Sequence, residues 1–415
     1  MRIRTHVTMN VYWFGLSFMW NALHPIVLPA LLLNFVPEAL KNTYLGVMTF
    51  IGLILAMIIQ PLSGALSDSI HTRWGRRRPW MLGGVLLDLA ILTGMALVGG
   101  FPGLLAAYLL LQFASNCAHG PAQGLIPDLV PEEQRGLASG VKNLFDMLGL
   151  VVASLVAGQL MGDGNAVLAF FVIGAVLAAS AAVTLLTTKE QRGPGAASET
   201  PGFRTIFRAD LRRYPDYARL LVSRLLILLG IYAVQSFAQY FIRDVLAAPN
   251  PAEVTGNLLA AIGLPLTLLV FPAGLLSDRF GRRRLNLLAG AVITLGIFLL
   301  TFAHDVTAVL VFGALIGIGT GIFVSVNWAW ATDLIPQHEA GKYLGLSNLA
   351  TAGASAAARL GGPLIDGINA LRPGAYLGYP VLFLISAAVV LVGTLLVLRV
   401  RETAAAACPP ESPRR

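Results

Sequence analysis

Gln112, Asn116, His119 and Gln123 stand at i, i+4, i+7 and i+11 within an otherwise apolar run. On a helix those positions share one face, so the run carries a single stripe of amide and imidazole groups. Such a stripe is costly against lipid. It therefore lines a wet cavity or forms a hydrogen-bonded seam between helices. Ser17, Asn21 and His24 repeat the spacing in the first apolar run, with Trp20 beside them and Pro25 and Pro29 placed to bend the helix. Tyr232 and Ser236, then Gln235 and Gln239, are pairs one turn apart, and Asn327 and Trp328 fall in a later run. Amides and hydroxyls offer many hydrogen bonds and no countercharge, which suits a neutral hydroxylated ligand such as a polyol. Trp20 reads either as a stacking platform or as ordinary packing, and Trp330 as part of an interfacial aromatic belt.

Charged residues inside apolar runs are expensive and need a reason. Asp146 has Lys142 one turn before it, and Ser139 and Asn143 on its face. Two readings compete: a carboxylate that carries a proton, or a structural pair with Lys142. Asp88 is the single acid of another run, serving either a neighbouring helix or transport. Arg359 follows Ser347, Thr351 and Ser355 in i, i+4 steps and precedes Gly361 and Gly362. It is expected to face inward and to pair with a cavity acid or with Asp366. His24 and His119 are either proton relays or satisfied hydrogen-bond partners. No nucleophile–base constellation, phosphate loop or metal-ligand spacing stands in a workable setting, so no enzyme, cofactor or metal is expected.

The elements that must position these groups follow from composition. Of 415 residues, 56% are hydrophobic and 12% charged, against about 25% charged in a soluble domain. The apolar residues come in blocks of about 20, enough to cross a bilayer as a helix. The expected spans are 9–33, 44–67, 79–99, 103–127, 136–160, 166–187, 217–243, 254–277, 284–304, 306–332, 341–366 and 376–399. The first block is too long for the apolar core of a cleavable signal and is expected to stay as a helix. Cys117 lies in an apolar block and Cys408 in a polar tail, so no disulfide joins them in this reading.

The net charge of +8 does not mark a nucleic-acid partner, because the basic residues form short clusters between apolar blocks rather than one face. They report topology instead. With both termini cytoplasmic, Lys41, Arg243 and Arg372 lie outside and Arg224 and Arg359 within spans. The rest of the 29 basic residues then fall in or beside cytoplasmic loops and tails. The expected organisation is a six-helix bundle over residues 1–187, a basic Gly/Pro/Ser-containing linker over 188–216, a second bundle over 217–402, and a disordered tail over 403–415.

The halves repeat. GALSDSIHTRWGRRR, Gly64 to Arg78, recurs as the shorter GLLSDRFGRRR, Gly274 to Arg284. Asp128, Pro131, Gly136 and Asn143 recur with unchanged spacing as Asp333, Pro336, Gly341 and Asn348. Parallel six-helix repeats with a midplane site between them are a transporter architecture. In the loop, Asp68 is placed to cap a neighbouring helix N-terminus, and the Arg run to meet carboxylates or anionic lipid.

Gly64, Ser67, Asp68, Gly75, Arg76, Arg77 and Arg78 resemble the cytoplasmic signature of the major facilitator superfamily between its helices 2 and 3. RWGRRRPW at Arg73 to Trp80, YFIRDVL at Tyr240 to Leu246 and SVNWAWATDLIP at Ser325 to Pro336 resemble the sucrose/proton symporters and the related glycoside–pentoside–hexuronide cation symporters. The chain departs from the sodium-coupled members in lacking a carboxylate in the middle of helix 2. The resemblance implies an all-α membrane protein of twelve helices in two pseudo-symmetric six-helix bundles, with helices 1, 4, 7 and 10 lining the cavity. It implies conformational gating by the loop residues Gly64, Asp68, Arg76, Arg77, Arg78, Asp128, Arg135, Gly274, Asp278, Arg282, Arg283, Arg284 and Asp333.

The expected function is alternating access by a monomeric, proton-coupled symporter of a neutral sugar or glycoside in the plasma membrane. The substrate would be held by Trp20, Asn21, His24, Asn116, His119, Tyr232, Gln235, Gln239, Asn327 and Trp328, with Asp146, His119 and Arg359 coupling it to protons. Two alternatives stand beside it: a proton-coupled exporter of amphiphiles, and a non-transporting pigment- or lipid-assembly factor.

Overall fold

A computed structural model describes residues 2–69, 72–190, 211–335 and 340–401. Most of the expected linker, the expected tail with Cys408, and Pro336 lie outside the described residues. Apolar blocks in hydrocarbon must satisfy every backbone group internally, and the described chain is accordingly almost wholly helical. We number the spans α1 (Ile3–Leu32), α2 (Lys41–Ser69), α3 (Arg78–Met95), α4 (Phe101–Gln123), α5 (Arg135–Gly162), α6 (Ala166–Thr187), α7 (Pro215–Asp244), α8 (Pro251–Phe280), α9 (Arg282–Leu300), α10 (Val306–Asp333), α11 (Ala340–Ala358 and Gly361–Leu371) and α12 (Gly378–Leu396).

Ten of these are long and apolar enough to cross a membrane by length and composition. The two others are α3, which carries Asp88, and α11, which is broken. The break was expected to be continuous helix. Pro363 has no N–H to give the Arg359 carbonyl, and that carbonyl instead accepts Gly362 N–H at 3.2 Å. The turn tightens to i, i+3 bonds through Arg359 and Leu360. In α1 the two prolines act as expected, but as a π-helical turn over Leu23–Val27 rather than a simple bend.

Packing repeats between the halves. In the first, α1 packs on α5 and α6, α4 on α2 and α3, and α3 on α6. In the second, α7 packs on α11 and α12, α10 on α8 and α9, and α9 on α12. Each pairing in one bundle has its counterpart six helices later. The bundles meet at two crossings that are also equivalents, α5 with α8 and α2 with α11. Glycines allow both. A Cβ on Gly256 would stand 2.2 Å from the Ser154 carbonyl oxygen, and one on Gly362 would stand 2.1 Å from that of Asn42. Small residues let backbones approach closely where lipid supplies no hydrophobic drive.

Candidate functional site

α4 and α10 pack within their own bundles and make no extensive contact with the opposite one, which leaves a gap between the halves. The hydrogen bonds and ion pairs joining the bundles gather at one end. Lys41 pairs with Asp244 at 2.6 Å and with Glu38, and Arg243 reaches Glu38 at 2.7 Å. Asp366 accepts the Asn42 amide at 2.8 Å and the Thr43 N–H at 2.6 Å. Tyr240 donates to the Pro29 carbonyl at 2.9 Å. This far end is closed. The opposite, basic end carries the Arg loops, and there the described ion pairs stay within each bundle.

The α1 and α4 residues come together as the spacing predicts. His24 lies 3.0 Å from the Tyr108 hydroxyl and 3.3 Å from the Gln112 amide, and Trp20 stacks on it with centroids 4.8 Å apart. Gln112 also donates to Tyr108 at 2.8 Å. Asn116 is buried and donates back to Gln112, while Asn21 donates to Ser17. The upper part of the α4 stripe is therefore a seam with α1. The lower part is more open: His119 bonds the exposed Gln123 at 3.1 Å and meets the Trp13 ring edge-on at 5.1 Å. Lys142 Nζ sits 4.0 Å from the centroid of that same Trp13 ring and 2.9 Å from Asp146. Asp146 thus stands as one half of the ion pair with Lys142, next to the His119 cluster. Its backbone carbonyl takes the Ser17 hydroxyl at 2.6 Å.

In the second bundle, Tyr232 and Gln235 on α7 are partly exposed toward the gap. Three expected ligands are engaged otherwise. Gln239 is buried 2.9 Å from the Pro25 and Ile26 carbonyls, its amide donating to both in the orientation that satisfies them. Pro29 has no N–H for the Pro25 carbonyl, so the α1 proline leaves an acceptor that α7 fills, and Gln239 joins the closed end. Asn327 is 0% exposed and accepts from Arg224 at 3.0 Å. Trp328 lies under the Arg224 guanidinium, 5.5 Å away. Trp330, expected at the lipid interface, is instead buried against Tyr217 and Tyr343.

Arg359 departs most from expectation. Neither a cavity acid nor Asp366 pairs with it. Among the described residues its side chain has no hydrogen bond or ion pair, and its Nε is buried and unsatisfied. Tyr108, Tyr232 and His24 lie within its electrostatic reach. Asp88 is 0% exposed, with both oxygens unpartnered, and lies near Tyr12 in the first bundle. Arg224, assigned from sequence only as a span residue, is held by Asn327 and Thr351 and lies over Trp328. Its signal was its charge in the middle of an apolar block. An apolar groove of about 270 Å³ between α3 and α6, lined by Leu89, Leu92 and Phe170, holds none of these groups.

The loop motifs tie helices within bundles. Gly75 and Gly281 take φ of 109° and 90°, a region open to glycine at little cost, and so aim Arg76 and Arg282 back at the bundle. Arg76 and Arg77 share Asp128, with contacts at 2.5 and 3.0 Å, and Arg77 also takes Asp68 at 2.5 Å. In the second bundle Arg282 alone holds Asp278 at 2.8 Å and Asp333 at 3.1 Å. Asp68 was expected to cap a neighbouring helix N-terminus, and α3 is the helix whose start follows this loop. The cap is Glu190, whose carboxylate accepts the N–H groups of Arg76, Arg77 and Arg78 at 2.6–3.2 Å. Asp68 is taken by the Arg77 side chain. Arg135 bonds the Val130 and Pro127 carbonyls of its own loop, Arg283 bonds the Leu398 carbonyl, and Arg284 is exposed. Gly64 gives its carbonyl to Arg77, and Gly274 gives its own to Ser277.

A sequence model of the family described as MFS/sugar transport protein matches residues 13–398. Among curated proteins, solute carrier family 45 member 4 of Mus musculus is 28% identical over 213 residues, 46% of this chain. The chain spans only 26% of that relative's length. The multi-drug resistance efflux pump PmrA of Streptococcus pneumoniae is 22% identical over 79% of this chain and 82% of its own. Among solved structures, a bacterial homolog of the human lysosomal transporter Spinster, inward-facing and unoccupied, superposes with a TM-score of 0.75. It is 16% identical, covering 97% of this chain and 99% of that one.

Proposed function

We propose that this chain, which belongs to the MFS/sugar transport protein family and is a multi-pass membrane transporter rather than an enzyme, carries a sugar-type hydroxylated solute by alternating access with proton coupling. One observation carries the reading: indole, imidazole, hydroxyl and amide groups of α1 and α4 gather in one cluster, while Lys41–Asp244 and Asn42–Asp366 tie the bundles at the far end. The distribution of Lys and Arg supports placing the basic end and both termini in the cytoplasm of a plasma-membrane protein. The conformation is then inward-open. Substrate would meet Trp20, His24, Tyr232 and Gln235 first, with Asn21, Asn116 and His119 bordering the path. Gln239, Asn327 and Trp328 would support the site from behind.

The proton carrier in this reading is Asp146. Neutralising it releases Lys142 toward Trp13 and His119, and so links a proton to the wall of the gap. The gap lies within one chain, which supports a monomer. The loop pairs around Asp128 and Asp333 would keep each bundle rigid while the bundles rock.

Uptake of radiolabelled glucose, xylose, sucrose and gluconate into proteoliposomes, with and without an inward proton gradient, tests the proposal. Gradient-stimulated accumulation of at least one is expected. Equal, passive uptake of all four removes it.

The likeness to PmrA over 79% of the chain favours a second reading, export of amphiphiles. Two uncompensated arginines in the gap weigh against the hydrophobic cations such pumps would meet. Unchanged resistance of cells expressing the protein to hydrophobic cations is the expected result.

A further inference from the structure

We infer that the transported solute bears an oxyanionic group, held between the guanidinium groups of Arg359 and Arg224. The inference rests on the transport reading above and replaces the neutrality expected of the substrate.

The charges within the spans do not balance across the gap. Lys142 has Asp146, Lys41 has Asp244, and Asp366 is taken by Asn42 and Thr43. Asp88 lies in the first bundle beside Tyr12. Arg224 bonds only neutral oxygens, Asn327 Oδ1 at 3.0 Å and Thr351 Oγ1 at 3.1 Å. The Arg359 side chain bonds nothing among the described residues.

An arginine without a countercharge is costly inside the bilayer and needs a reason. Neither charge has an ion-pair partner among the described residues. A guanidinium is permanently charged, and its planar fork matches a carboxylate or phosphate in bidentate fashion. Tyr232 lies within electrostatic reach of both arginines, and Arg224 bonds Thr351, about two turns before Arg359 on the same helix. The break in α11 sets Arg359 in the turn between its two segments, where its backbone carbonyl meets Gly46 of the other bundle. An anion drawn to Arg359 therefore acts at the crossing about which the bundles move. The hydroxylated body of the solute would extend toward His24 and Tyr108.

The test uses purified full-length protein, and the probes are glucose, gluconate and glucose 6-phosphate. Each is titrated while the thermal unfolding midpoint is followed, for wild type, Arg359→Gln, Arg224→Gln and the exposed control Arg284→Gln at the start of α9. Gluconate, glucose 6-phosphate or both should raise the midpoint of wild type and Arg284→Gln. Their half-saturating concentration should rise at least tenfold in Arg359→Gln and Arg224→Gln. Without ligand, Arg359→Gln should melt no lower than wild type, because no partner is orphaned. A purely structural arginine would instead lower that midpoint, and this outcome overturns the inference. Stabilisation by glucose equal to that by the anions also overturns it while leaving the transport reading intact. Stabilisation by none of the three sinks both. Gluconate and glucose 6-phosphate separate a carboxylate from a phosphate as the recognised group.

Discussion

Asp366 on α11 accepts the side-chain amide of Asn42 on α2 at 2.8 Å, and so joins one bundle to the other. With Lys41–Asp244 it closes the far end. Under the proposed alternating access the bond crosses a boundary that opens in the other state, so its strength sets a population.

Asp366→Asn should therefore shift the protein toward opening at the far end. A hydrogen bond to a charged group contributes about 1.5–3 kcal/mol, enough to change the open-to-closed ratio tenfold or more. A cysteine introduced at Thr43 reports it. Its labelling rate by a membrane-impermeant thiol reagent should rise at least tenfold in the Asp366→Asn background. An unchanged rate would show that Asp366 does not hold this end closed.

Asp146→Asn separates coupling from movement. The variant should lose proton-driven accumulation by at least tenfold yet retain substrate exchange across membranes preloaded with substrate. Loss of exchange to the same degree would make the Asp146–Lys142 pair a structural tie.

The Arg loops differ in burial, and burial predicts unequal costs. The Arg77 side chain is 3% exposed and that of Asp128 9%, and breaking a buried pair costs about 3–5 kcal/mol. Arg282 meets an Asp278 that is 60% exposed, where a pair contributes about 0–1 kcal/mol. Arg77→Ala should lower the unfolding midpoint in detergent by clearly more than Arg282→Ala. Equal shifts would contradict the argument from burial.

Gly362→Val should destabilise strongly, because its Cβ would meet the Asn42 backbone rather than a side chain that can turn away. Overpacking costs about 1–3 kcal/mol. Gly353→Ala, with open space at that position, is the control. The two variants are compared by the fraction that elutes as a single monodisperse peak in gel filtration.

Much of this was legible from spacing. The Lys142–Asp146 pair is an i, i+4 relation, and the α1 and α4 polar stripes follow from one helical period. The duplicated loops announced two like bundles, and the packing repeats helix for helix. What periodicity lacks is the rotation of one helix against another. Asn327 and Gln239 were therefore recognised as polar and inward but not as partners of Arg224 and of the Pro25 carbonyl. The α11 break hid in an alanine-rich stretch, where Pro363 and the following packing decide where the helix stops. Glu190 sat at the start of a segment read as linker, so its role as a cap carried no local signal.

Glu190 also grips three successive amides at the start of α3. It thereby moors the chain after α6 to the loop that precedes α3. In the proposed rocking of the halves, load that reaches Glu190 is delivered to the first turn of α3, and from there to Arg76, Arg77 and Asp128. Shortening the chain between Glu190 and α7 should be felt as mechanical load on the signature loop, and lengthening it as slack.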